Sequence, residues 1–144
     1  VLVTGARGFL GRYLCRALVN AGAEVHALHR TQPELGSSLP GTISHYADVT
    51  RPDELKEAIG SLRPRIVYHL AASVNRDISR QAVHQSFAVN AVGTHNLLQI
   101  LASHPPDVML MASTAEVYGQ EFPPFREDCK GRPESAYPSS KATA

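Results

Sequence analysis

The chain opens on "VLVTGARGFLG", a short apolar run rich in valine that meets glycines at Gly-x-x-Gly-x-x-Gly spacing and passes directly into helical periodicity. No other feature constrains the fold as tightly. A buried strand that turns at once into a helix needs a residue tolerant of unusual backbone angles, and Gly5 stands at that point. In such a unit the first glycine permits the tight turn, and the second, Gly8, lets backbone approach a pyrophosphate. The third, Gly11, lets helix and strand pack closely. The pyrophosphate would rest on N–H groups at the helix N-terminus, among Gly8, Phe9, Leu10 and Gly11. The bland alternative is a glycine-rich turn without a ligand.

The remaining pattern supplies the rest of the fold. Leu10, Tyr13, Leu14, Ala17, Leu18 and Ala21 recur at helical spacing until Gly22. "EVHAL" (24–28) reads as a second strand and "TISHYA" (42–47) as a third, with residues 31–41 a loop of turn chemistry. "RPDELKEAIGSL" (51–62) predicts a helix with Pro52 near its first turn and acids early, as the helix dipole favours. "RIVYHLAA" (65–72) is an apolar strand. Val83, Phe87, Ala91, Thr94, Leu98 and Leu101 then step by three or four, which predicts one long amphipathic helix from about 80 to 103. "VMLMAS" (108–113) is a fifth strand, and "SAYPSSKATA" ends the sequence in what reads as the first turns of another helix. Nearly continuous apolar strands alternating with helices predict an α/β fold with a doubly wound parallel sheet covered on both faces.

Composition narrows the partners. The 144 residues suit one domain, with 43% hydrophobic residues, 19% charged residues and a net charge of +1. That balance points away from nucleic acid, and no apolar run reaches the ~18 residues that mark a membrane span. Cys15 and Cys129 cannot build a disulfide framework and suit a reducing, cytoplasmic setting. The histidines lack metal-ligand spacing, so no metal site is expected. About 20 residues past a glycine fingerprint of this type, an NAD binder places an acid on the ribose 2′-hydroxyl. Here the second strand runs into His29 and Arg30 instead. Arg30 can pair with a 2′-phosphate, which favours NADP over NAD; a lone arginine at a strand end can also be simply solvated.

The motifs support a family name when taken in order. The glycine turn with Phe9 after Gly8, "ADVT" at 47–50, "HLAA" at 69–72, "FAVNAVGTHNLL" at 87–98, "STAEVYG" at 113–119 and "YPSSK" at 137–141 follow one another. Together they resemble the extended short-chain dehydrogenase/reductase family, the NAD(P)-dependent epimerases and dehydratases of nucleotide sugars. The resemblance covers essentially the whole chain and implies a Rossmann-type domain over 1–144. It also implies an N-terminal fragment, because the family continues past the matching lysine into a C-terminal substrate domain. A homodimeric parent is a further expectation.

The resemblance assigns roles residue by residue. Asp48 would hydrogen-bond the adenine amino group with the Val49 backbone beside it, although an acid capping the turn before Pro52 looks the same in sequence. Ala71 and Ala72 would let the fourth strand approach the cofactor, whereas His69 reads as a packed strand residue. Asn90 matches an asparagine that organises the active-site backbone. Thr114 matches the residue that bonds the reacting sugar oxygen, Tyr137 the proton-transferring tyrosine and Lys141 the lysine on the nicotinamide ribose. A phenol is a poor base at neutral pH, and an ammonium one helical turn away favours its deprotonated form.

The resemblance implies removal of a hydride to give a keto sugar, after which subfamilies diverge. Glu116 in "STAEVYG" is similar to the base that 4,6-dehydratases use beside the new ketone, and the reading leans to that reaction. Ala115 stands where one dehydratase branch carries an acid, and "HLAASVNRD" departs from the dehydratase pattern. A 4-epimerase, a 4-keto-sugar reductase and a non-catalytic dinucleotide-sensing module therefore stay open, as does a structural role for Glu116.

Overall fold

The computed structural model describes residues 1–32, 38–119 and 124–144. In chain order it contains β1 (Leu2–Thr4), α1 (Phe9–Asn20), β2 (Val25–His29), β3 (Thr42–Tyr46), α2 (Pro52–Ile59) and β4 (Ile66–His69). There follow α3 (Arg80–Phe87), a π-helical turn (Ala88–Val92), α4 (Gly93–Leu101), β5 (Val108–Met111), a 3₁₀ turn (Ala115–Tyr118) and α5 (Ala136–Thr143). The strands form one parallel sheet in the order β3-β2-β1-β4-β5. The chain builds outward from β1 to β3 and then returns to β4 on β1's other side. This is the doubly wound Rossmann arrangement, and the strand order reverses between β1 and β4.

Alternation along the strands fills two cores. Leu2, Leu28 and Val67 pack with Leu55 and Ile59 of α2 and Leu97 and Leu101 of α4. Their sequence neighbours Val3 and Ala27 face the other side, where Cys15, Leu14 and Leu18 of α1 meet them. Period-2 side-chain alternation explains why both faces must be covered. Cys15 is buried and its thiol is pushed up by desolvation, as expected of a small core hydrophobe.

The predicted long helix keeps Thr94 and Leu101 as buried positions and differs at the others. The buried positions are Ala82, Ser86, Asn90, Gly93, Thr94, Leu97 and Leu101, while Leu98 is exposed. Apolar stepping selected Val83, Phe87 and Leu98 because it passed over polar residues that are buried on the inward face. The π-helical turn also adds a residue to the local repeat, and a 3.6-residue period does not anticipate that. β3, β4 and β5 end one to three residues before the apolar runs that predicted them, whereas β1 ends where expected and β2 runs one residue further, to His29. Residues 33–37 of the predicted loop lie outside the described residues.

Candidate functional site

The site grows from the first turn. Gly5 adopts φ +64°, and a Cβ there would sit 2.7 Å from the backbone nitrogen of Ala71. Only glycine lets β1 turn so close to the end of β4. The Gly8 N–H donates to the Gly5 carbonyl at 2.9 Å and closes the turn. A Cβ on Gly11 would lie 2.8 Å from the Ala6 Cα, so α1 rests directly on the turn. Gly8 caps α1 in extended conformation with no side-chain cap, and no acid occupies the first turn. The free N–H groups and the dipole there suit an anion. Gly11 is thus a packing residue, whereas the side chains of Phe9 and Leu10 are exposed and only their backbone is placed at the helix start.

At the switch point lies a cleft of about 410 Å³, lined by the Gly5–Gly8 turn, the ends of β2 and β4, and Gln85 and Val89. Of the sequence-predicted cofactor residues, Gly5, Gly8, Arg30, Asp48, Val49, Ala71 and Ala72 line it. Asp48 Oδ1 accepts from both the N–H and the hydroxyl of Thr50, at 2.9 and 2.8 Å, so it braces the turn into α2 while bordering the cleft.

Arg7 is a residue the sequence reading missed. Its Nη1 donates to the Thr31 carbonyl at 3.2 Å, while Nε and Nη2 are buried without a hydrogen-bond partner among the described residues. Buried guanidinium nitrogens are costly to leave unpaired, and here they border the cleft beside Arg30. His29 is buried next to them, and burial followed by Arg7 lowers its pKa to about 4. No local pattern marks Arg7 in the sequence, because its partnerless nitrogens exist only once β2 packs beside the turn. The glycine cradle, the open helix end and these nitrogens fit a dinucleotide.

Asn90 joins the cleft to α5. From the π-helical turn its Oδ1 accepts the Ser73 N–H at 2.7 Å, and its Nδ2 donates to the Ser73 carbonyl and to Ser140 Oγ at 3.0 and 2.9 Å. Ser140 Oγ in turn donates to the Tyr137 carbonyl at 2.7 Å. Tyr137 and Lys141 therefore lie one turn apart on a helix pinned to a cleft residue. Lys141 is 8% exposed, and burial pulls its ammonium below the usual lysine range. Neither Tyr137 nor Lys141 lines the cleft itself.

Thr114 caps the 3₁₀ turn, its Oγ1 accepting the Glu116 N–H at 3.3 Å, and that turn packs against α5. The Glu116 carboxylate is ion-paired with Arg76 from the loop after β4. That partner was not anticipated. Among the described residues no cluster of His, Cys, Asp and Glu is arranged to hold a metal, and no helix is long and apolar enough to cross a membrane.

With this geometry in place, residues 1–144 match the NAD dependent epimerase/dehydratase family. The chain is 30% identical to GDP-mannose 4,6 dehydratase 2 of Arabidopsis thaliana, over 99% of this chain and 43% of that protein. It is also 30% identical to UDP-glucose 4-epimerase of Pisum sativum, over 98% of this chain and 44% of that protein. The crystal structure of UDP-glucose 4-epimerase from Thermus thermophilus in complex with NAD superposes with a TM-score of 0.86 at 30% identity, covering 98% of this chain and 47% of that one. The chain thus spans less than half the length of these relatives.

Proposed function

Because the chain belongs to the NAD dependent epimerase/dehydratase family, we propose that it is the cofactor-binding part of an enzyme that oxidises a nucleotide sugar to a keto-sugar intermediate, and that the full reaction is a 4,6-dehydration. One observation carries the reading. Asn90 bonds both Ser73 of the cleft and Ser140 of α5, the helix that carries Tyr137 and Lys141. A nicotinamide bound there supplies the hydride acceptor. The first turn of α1 would hold the dinucleotide's diphosphate, and Ala71 and Ala72, just past the end of β4, would leave room beside it.

Tyr137 takes the proton from the sugar hydroxyl, Thr114 bonds the same oxygen, and Lys141 holds the ribose and favours the phenolate. Glu116 takes the proton beside the new ketone and passes it to the departing C6 hydroxyl, which leaves as water. The hydride first removed from the sugar then returns to C6, and the carbon beside the ketone takes a proton from solvent. Arg7 and Arg30 in place of an acid support NADP as the preferred form, because both can bond a 2′-phosphate. A second reading, 4-epimerase or 4-keto-sugar reductase, draws support from the Arg76 pair that occupies the Glu116 carboxylate. A substrate domain beyond these residues and a homodimeric assembly belong to the same proposal.

The test uses the full-length protein with GDP- and UDP-hexoses in deuterated water. The wild type is expected to yield a 6-deoxy-4-keto product deuterated next to the ketone. Glu116→Gln is expected to lose ~10²–10⁴-fold in turnover, the usual effect of removing a general base. A product that keeps its C6 hydroxyl, or unchanged turnover in Glu116→Gln, moves the assignment to the epimerase or reductase. Retained turnover in Tyr137→Phe would take the proton-transfer role away from Tyr137. A full-length wild type that binds dinucleotide but turns over no nucleotide sugar would leave only a dinucleotide-sensing module.

A further inference from the structure

A chain of buried hydrogen bonds crosses the switch point, and the chemistry proposed above does not call on it. The Ala71 N–H donates to Thr4 Oγ1 at 3.1 Å, and Thr4 Oγ1 lies 2.7 Å from His69 Nδ1. On the other side of the ring, His69 Nε2 lies 2.9 Å from Thr94 Oγ1, which donates to the Asn90 carbonyl at 2.6 Å. Thr4, His69, Thr94 and Asn90 are all essentially inaccessible to solvent.

Proton counting selects one state of the ring. Each threonine hydroxyl has a single proton and can also accept. With the ring proton on Nε2, that N–H donates to Thr94, whose own proton reaches the Asn90 carbonyl. Nδ1 then accepts from Thr4, which remains free to accept the Ala71 N–H. All four contacts carry a proton. With the proton on Nδ1, Thr4 faces two donors and its own hydroxyl proton loses its acceptor. Thr94 must then serve both His69 and Asn90 with one proton. An imidazolium strands the Thr4 hydroxyl in the same way, and it would face the buried Lys141 ammonium. Each orphaned group in such a site is costly.

We propose that His69 is a positioning residue of the dinucleotide crevice, held as the neutral Nε2–H tautomer. One imidazole thereby fixes the Ala71 N–H on the β4 wall and the carbonyl of the Asn90 turn opposite it. Ala71 lines the crevice, and Asn90 holds Ser73, which also lines it. The link to binding rests on the dinucleotide reading given above; the tautomer does not.

The experiment labels the protein with ¹⁵N-histidine and records ring ¹H–¹⁵N spectra without ligand at pH 7, assigning His69 by comparison with His69→Gln. A single form with the proton on Nε2 is expected. Thr94→Val removes the hydroxyl and keeps the shape, whereas Thr94→Ser keeps the hydroxyl and loses the methyl. The Val variant is expected to lose the fixed tautomer and to weaken NAD(P) binding by about tenfold, the scale of one buried hydrogen bond. The Ser variant should return both readouts close to wild type.

An Nδ1–H ring, or a rapidly exchanging mixture, in the wild type overturns the proposal. So does a Ser variant that binds as poorly as Val, since packing would then explain the effect. If Thr94→Val does not fold, the wild-type ring spectrum still decides the tautomer, and Thr4→Val against Thr4→Ser takes over the binding comparison. A wild type with the Nε2–H ring that binds no dinucleotide overturns the functional reading and the positioning role together. A wrong tautomer in a protein that binds dinucleotide overturns the inference alone.

Discussion

Arg7 and Arg30 border the same cleft, yet only Arg30 was legible as a ligand residue from its place in the chain. A strand end about 20 residues beyond the glycine turn is a position with a known task. Arg7 needed the fold, because its unpaired Nε and Nη2 are visible only when β2 packs beside the turn. If both arginines meet a 2′-phosphate, NADP should bind more tightly than NAD. Arg7→Ala and Arg30→Ala should each weaken NADP by about 1.5–3 kcal/mol and leave NAD nearly unchanged, a charge-assisted contact being lost in each case. Side-by-side calorimetric titration of the two dinucleotides measures this. Equal or tighter NAD binding by the wild type rules out the preference.

The π-helical turn is the element that organises the site. It rotates Asn90 inward so that its amide satisfies both backbone groups of Ser73 and the hydroxyl of Ser140. Asn90→Ala leaves those buried groups without partners and is expected to cost about 2–3 kcal/mol in urea denaturation. The loss should be local. Hydrogen exchange is expected to accelerate at the Ser73 amide and along α5 before the β1–β4 core responds. Uniform acceleration across the sheet would mean that Asn90 serves the fold as a whole rather than docking α5. Apolar periodicity could show that a helix runs through these residues, but not that it carries an inserted turn or that its inward face is polar.

For the whole molecule, the two imidazoles buried at the strand ends set an acid limit. His69 and His29 both have folded pKa values of about 4, each lowered mainly by burial and then by Lys141 and Arg7 respectively; His45 adds to the lowering at His29. The unfolded chain binds these protons near pH 6.5 and the folded chain only near 4, so stability is full above 6.5 and declines as pH falls through that window. At pH 5 each imidazole should subtract about 2 kcal/mol relative to pH 7. Denaturation midpoints measured across this range should fall, and His69→Gln should flatten the slope. A flat wild-type profile would show that these rings are not held neutral.

What the sequence determined by itself was everything carried by local pattern. A glycine turn between strand and helix, apolar strands covered on both faces and a Tyr–Lys pair one turn apart depend on residues close in the chain, and their spacing expresses the geometry directly. Only the tertiary structure decided the rest. The Thr4–His69, Asn90–Ser140 and Arg76–Glu116 contacts join residues 65, 50 and 40 positions apart. Their hydrogen-bond directions, burial and charge pairing come into being only when parallel strands bring their carboxyl ends to one edge of the sheet.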